Sequence, residues 1–302
     1  MSKIAIIHPW DRAKWSEPLM WDGLHAALKL VGEKHQVDWF LQGDEPDDSY
    51  DWIMPWGVGS LPFNDTIERF SGRKALICAG HPQDTKNMEK FDAVFVESPA
   101  VYRELLPFCK RVEIAFGTDT DFFYPDPISY YCNVCRVGRD KRIFDVFYPA
   151  TFSDNWKRQQ LFAEASRGYK AMACGLLQPD GVEGYKKCIE NGVYVMEGLI
   201  PTRLIAELYR QSRVCVITSW HGSERSALEA LSSNLPLVIT RDNDLTCSLV
   251  GEKAIVVDPT PEDIKRGIEI ALSETVTDNR SWVLDNYSHH KYAEKLLEVI
   301  ES

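Results

Sequence analysis

The sequence has no apolar run approaching the roughly 20 residues of a membrane-spanning helix. It has no low-complexity tract and no repeat beyond two similar halves. Its N-terminus, MSKIAIIHPW, runs straight into a strand-like segment, so no signal peptide is expected. Positive charge is in short supply, with 34 Lys and Arg against 45 Asp and Glu and a net charge of −11. That balance disfavours a generally basic nucleic-acid face and electrostatic docking to anionic lipid, while leaving room for a local basic cleft. An acceptor that is small or soluble is expected. The eight cysteines show no disulfide framework, which points to free thiols in a reducing compartment and a cytoplasmic location. Cys132 and Cys135 form a CxxC, but neither a second CxxC nor a His pair at finger spacing completes a zinc site. Two thiols in a surface segment, open to oxidation, is the favoured reading there. No Asp-x-Asp stands at a strand end, and no glycine-rich loop follows the first strand.

What is present is a soluble-protein composition, 44% hydrophobic and 26% charged, and a length that accommodates two domains of roughly 150 residues each. Short apolar runs alternate with helical patterns. Strands are predicted at 3–7, 37–41, 52–55, 74–78, 93–97 and 112–115, and again at 143–150, 170–175, 193–196, 214–218, 237–240 and 254–257. Helices are predicted at 19–32, with Leu24, Ala27, Leu28 and Val31 on one face, and at 156–167, 201–212, 226–233 and 261–272. A last helix at 286–301 carries Tyr292, Leu296, Leu297 and Ile300 on one side. Such alternation implies parallel sheets covered on both faces, an α/β fold.

The most informative segment is 195–240. The apolar run RVCVIT (213–218) stops at Ser219-Trp220-His221-Gly222, and a helical pattern opens with Ser223, Glu224, Arg225 and Ser226. A buried strand, a small-residue loop and a helix start direct several backbone N–H groups to one spot, at the positive end of the helix dipole. The turn suits an anion such as phosphate, or is a plain turn. Glu229, one turn in, is placed to accept hydrogen bonds from hydroxyls on whatever carries the phosphate.

This segment resembles the donor-binding core of the family-4 glycosyltransferases. Gly198, Leu208, Tyr209, Ser219, Gly222, Glu229 and Ala230 fall into register with the family's pattern, and Asn234-Leu235-Pro236-Leu237-Val238 stands where the family has Gly-x-Pro-Val-Val. Residues 117–125, GTDTDFFYP, resemble the signature at which the family leaves its first domain. The resemblance implies the GT-B architecture, two Rossmann-like domains facing across a cleft. It places an acceptor domain at 1–125, a donor-binding domain at 126–285, and a C-terminal helix, 286–302, packing back on the first. It also implies a retaining, nucleotide-sugar-dependent transfer with no obligatory metal or other cofactor beyond the nucleoside-diphosphate sugar.

The implied site residues follow position by position. His81, at a strand end of the first domain, His221 and Glu229 are the catalytic candidates. His81 would orient the donor sugar by hydrogen bonding. Donor contacts are expected from Thr151, Lys157, Arg158, Leu199, Gly222, Ser223, Glu224, Arg225, Ser226 and Glu229, with Glu229 on the ribose. Two positions depart from the family: His221 replaces a Glu, and Thr151 replaces a phosphate-binding Arg. A neutral imidazole bonds hydroxyls but brings no fixed negative charge, and a hydroxyl cannot balance a phosphate. Either Arg158 or Arg225 then supplies the missing cation, or the donor differs. His8, Trp10, Arg12 and Trp15 are acceptor-side candidates, although the tryptophans of this loop, like Trp52 and Trp56, suit interdomain packing equally. Two alternatives stay open: a phage-type enzyme glycosylating modified DNA bases, and a degenerate non-catalytic nucleotide or sugar binder.

Overall fold

A computed structural model of the chain describes residues 1–8, 23–41, 44, 46–58, 65–82, 85–125, 142–273 and 278–302, without the side chains at positions 8, 41 and 58. The chain divides into two compact units, Met1–Gly117 with Tyr287–Ser302, and Thr118–Asn286.

The first unit is a six-stranded parallel sheet built from β1 (Lys3–His8), β2 (Gln36–Leu41), β3 (Trp52–Val58), β4 (Arg73–Ala79), β5 (Ala93–Val96) and β6 (Val112–Ile114). The strands lie in the order β2-β1-β3-β4-β5-β6, so the direction of winding reverses between β1 and β3. Helices α1 (Gly23–Val31), α2 (Asp65–Arg69) and α3 (Pro99–Leu105) connect them. Strands covered on both faces must be apolar throughout, and β5, AVFV, is buried at all four positions. The predicted stripe of α1, Leu24, Ala27, Leu28 and Val31, is buried in this core. The helix His289–Ile300, last in the chain, completes the same core with Tyr292, Leu296 and Ile300, and packs against α1.

The second unit runs β7 (Phe144–Pro149), α4 (Gln159–Ala165), β8 (Ala171–Gly175), α5 (Val182–Glu190), β9 (Tyr194–Glu197), α6 (Thr202–Arg210), β10 (Ser212–Ile217), α7 (Glu224–Ser232), β11 (Leu237–Thr240), α8 (Asp244–Val250), β12 (Ile255–Val257), α9 (Pro261–Ser273) and α10 (Asn279–Asn286). Its six strands are again all parallel, in the order β12-β11-β10-β7-β8-β9. Numbered from its own first strand this is the doubly wound dinucleotide-fold order, 6-5-4-1-2-3, with the reversal between β7 and β10. Ligands of open α/β sheets bind at the carboxyl ends of the strands flanking that reversal. The loops after β7 and β10 are therefore the place to look.

All twelve strands stand where the apolar runs predict them. Five short helices were not legible: α2, α3, α5, α8 and α10. Pro99 opens α3, where the Ser98 hydroxyl accepts from Val101 N–H at 3.4 Å, and Gly184 interrupts the pattern of α5. Tertiary packing stabilises both against weak local propensity. The six cysteines among the described residues are free thiols, while Cys132 and Cys135 lie outside those residues. Among the described residues no helix is long and apolar enough to cross a membrane.

Candidate functional site

The loop between β10 and α7 takes its shape from two consecutive left-handed residues, Gly222 at φ 71° and Ser223 at φ 84°. At position 222 the φ favours glycine, since a side chain would be strained there, and an added Cβ would also lie close to the Lys157 Nζ, 3.3 Å away. The loop's polar groups are gathered by Asn243, fully buried at the start of α8. Its amide Nδ2 donates to Ser219 O at 2.9 Å and to Gly222 O at 2.8 Å, while its Oδ1 accepts from Thr246 N at 3.1 Å. The Thr246 hydroxyl donates a second bond to Gly222 O at 2.9 Å, and the Thr240 hydroxyl reaches Ser219 O at 3.3 Å. With its carbonyls so occupied, the loop is fixed before any ligand arrives. Asn243→Ala removes the two donations to loop carbonyls and the N-cap of α8, each worth about 1 kcal/mol. We expect the melting temperature to fall by several degrees and nucleotide affinity to fall with it, measured by thermal melts with and without ligand.

Lys157 comes to this loop from the β7–α4 connection. Its carbonyl accepts from the Tyr148 hydroxyl at 2.8 Å and from the Thr218 hydroxyl at 2.9 Å, so residues at the ends of β7 and β10 hold its backbone. Its ammonium donates to Ser223 Oγ at 2.8 Å and to His221 O at 3.4 Å, and lies 4.9 Å from the Trp156 ring centre. Among the described residues no carboxylate forms an ion pair with it. Burial pushes its pKa down from 10.5 to about 8, Glu224 opposing the fall and Arg225 adding to it. A desolvated cation is thus kept beside the N-terminus of α7, where the helix dipole is also positive. Such a concentration of positive potential is unfavourable alone and favourable around an anion.

Arg158 has its side chain bonded elsewhere. It adopts a left-handed conformation at the entry to α4, φ 53°, and its guanidinium forms a bidentate pair with Asp242 at 2.7 and 2.9 Å and donates to Thr218 O at 2.7 Å. Its charge is met by Asp242, and it ties α4 to the ends of β10 and β11. This also corrects the predicted start of α4, since positions 156–158 precede the helix. Arg225 is the basic residue in the first turn of α7; its Nε lies 3.5 Å from Glu229 Oε1 and its side chain is more than half exposed. Glu229 is buried, with Oε2 accepting from the Tyr209 hydroxyl at 3.1 Å. Its carboxylate helps to raise the Tyr209, Cys174 and Cys215 pKa values, behind the larger effect of burial. Glu224 is buried at the helix start, and the Ser226 hydroxyl bonds Pro149 O at 3.2 Å. The Thr151 carbonyl accepts from Gln159 Nε2 at 2.6 Å, and Leu199 is exposed after the left-handed Gly198.

The loop carrying Thr151 and Lys157 lies along the exit of β8. Phe152 N bonds Leu176 O at 2.8 Å, Asp154 caps α5 through Gly184 N at 2.8 Å, and Ser153 Oγ bonds Asp180 at 2.6 Å. This contact requires Gly175, at φ 153°, because a Cβ there would sit 2.2 Å from Ala150 O.

In the first unit His81 follows the carboxyl end of β4, and its Nδ1 is 2.5 Å from Glu104 Oε2 on α3, which fixes the ring. His8 ends β1, but its side chain and the residues Trp10, Arg12 and Trp15 lie outside those described. Sequence reasoning missed Asn243, Thr246, Trp156 and Trp220. Only the Asn-Asp pair after β11, a capping pattern, offered a signal for the first of these.

Residues 144–274 match a family model described as Glycosyl transferases group 1. No curated protein matches the chain at the sequence level. Among solved structures the chain is similar to Alr3699/HepE of Anabaena in complex with UDP-glucose, with a TM-score of 0.71, 14% identity and full coverage of both chains. It is similar to AviGT4, a glycosyltransferase involved in avilamycin A biosynthesis, with a TM-score of 0.66, 14% identity and coverage of 100% of this chain and 97% of that one. WaaG, a glycosyltransferase involved in lipopolysaccharide biosynthesis, matches with a TM-score of 0.57 and 13% identity over 98% and 99% of the two chains.

Proposed function

With a group 1 glycosyl transferase domain at residues 144–274 and the Rossmann-like units of the GT-B fold, we propose that the chain moves a sugar from a nucleoside-diphosphate sugar to an acceptor with retention of anomeric configuration. The observation that carries this reading is the Lys157 ammonium, desolvated and set 2.8 Å from Ser223 Oγ at the start of α7. The diphosphate lies against the N–H groups of Gly222 to Ser226, with Lys157 and Arg225 as its cations. Glu229 takes the ribose hydroxyls through Oε1, the oxygen that faces the exposed Arg225. His221 donates to a hydroxyl of the sugar. As the glycosidic bond lengthens, negative charge grows on the leaving diphosphate, and the lysine and helix dipole stabilise it there without reorganising. The acceptor is assigned to the first unit.

Calorimetric titration with UDP, GDP, ADP and dTDP tests the donor site. One of them binds, and its affinity depends on pH with a sign set by Lys157. Below about pH 8 the ammonium is already charged, and binding needs no proton. Above it, the bound anion must recruit a proton, and affinity falls by up to about tenfold per pH unit. If none of the four binds, or binding is flat between pH 7 and 9.5, the assignment of Lys157 to the diphosphate is wrong. Retention is read separately by NMR, from the anomer first formed when the donor is consumed.

A further inference from the structure

Six tryptophans fall among the described residues, and only two of them, Trp156 and Trp220, are exposed, at 38% and 46% of their full surface. Both stand at the same place. Trp156 immediately precedes Lys157, and Trp220 lies in the loop before α7. The two segments are fastened together: Trp220 N donates to Trp156 O at 3.1 Å, and the Trp220 indole Nε1 donates to Asn155 O at 2.5 Å. His221 lies between the rings, its centroid 6.3 Å from that of Trp156 at 23° and 5.5 Å from that of Trp220 at 49°. The result is a continuous aromatic patch, held in place by backbone bonds and left in water.

Exposed indoles of this kind are stabilised by a flat partner that carries C–H groups on one face and hydroxyls at its rim. A hexopyranose ring has that form. Its place follows from Lys157, whose ammonium is 4.9 Å from the Trp156 ring centre and 2.8 Å from Ser223 Oγ. A phosphate held by that ammonium brings whatever is bonded to its outer oxygen onto the patch. The nucleoside lies the other way, since Glu229 is buried further along α7 against Tyr209. The geometry points to Trp156 and Trp220 as the stacking surface for the transferred hexopyranosyl ring, with the His221 imidazole at its edge to bond a hydroxyl. This subsite rests on the diphosphate reading above, but its failure is separable from that of the reading.

The test compares paired ligands, UDP with UDP-glucose and GDP with GDP-mannose, by calorimetry on the full chain and on Trp220→Ala and Trp220→Phe. In the native protein the sugar nucleotide binds more tightly than the bare diphosphate of its pair. Trp220→Ala weakens the sugar nucleotide by about tenfold and leaves the diphosphate unchanged, as loss of one stacked ring predicts. Trp220→Phe restores most of the difference. Equal weakening of both ligands would place the nucleobase on the patch, and no change in either would leave it to the acceptor; each outcome overturns the proposal. An unchanged diphosphate affinity in Trp220→Ala also shows that the variant is folded. If the native protein binds neither member of either pair and none of UDP, GDP, ADP and dTDP, the donor reading itself falls.

Discussion

Lys157→Met is expected to weaken nucleotide binding severely while making the unliganded protein more stable. The two effects have one cause. A pKa of about 8 instead of 10.5 means that the fold holds the charged lysine at a cost of roughly 3 kcal/mol at neutral pH. Methionine fills the same space without the charge, so the melting temperature at pH 7 rises by several degrees. That gain shrinks between pH 8 and pH 10.5, where the native lysine sheds its proton in the folded state but keeps it in the unfolded one. Binding moves the other way: losing a charge-assisted contact to a diphosphate weakens affinity and kcat/KM by about 100- to 1,000-fold. Melting curves of both proteins with and without UDP or GDP, across pH 7–10, read all of this at once. A variant that is destabilised at pH 7 would show that Lys157 is structural, and the site argument would lose its centre.

Gly175→Ala is expected to have the largest effect on folding. The new Cβ would lie 2.2 Å from Ala150 O and 2.8 Å from Thr151 N, both backbone atoms, at a φ of 153°. Neither neighbour is a flexible tip that swings aside. The substitution forces the segment after β7 away from β8, breaking the bonds that Phe152 and Asp154 make there. A loss of about 3–5 kcal/mol is expected, enough to lower the melting temperature by 10 °C or more or to leave the chain insoluble. Where folded protein is recovered, nucleotide affinity also falls, because Lys157 is carried on the displaced segment. A melt within 2 °C of the native one would mean that the β7–α4 loop is not clamped in this way.

The sheets were readable because their signal is local. Runs such as IAII (4–7) and VCVI (214–217) are apolar at every position, and only a strand buried on both faces needs that. The β10–α7 turn was readable because glycine and helix-start residues follow such a run directly. The cations were not. Arg158 and Lys157 are neighbours with the same charge, and their separation depends on one left-handed residue and on Asp242, 84 residues away in sequence. Asn243 escaped notice for a similar reason: its two donations to loop carbonyls reach back over 21 and 24 residues, and α8 is too short to announce its own cap. The aromatic patch joins Trp156 to Trp220 across 64 residues, through the adjacency of β7 and β10, which sheet order decides and local sequence does not.

The placement of the helix His289–Ile300 fixes an order of events on the ribosome. Synthesis delivers the α1 face, Leu24, Leu28 and Val31, early, and its covering residues Tyr292, Leu296 and Ile300 last. The second unit, contiguous from Thr118 to Asn286, is complete in the chain before the first is. The first unit therefore cannot complete its core until the second unit has been synthesised, and that unfinished core is a surface a nascent-chain chaperone would meet.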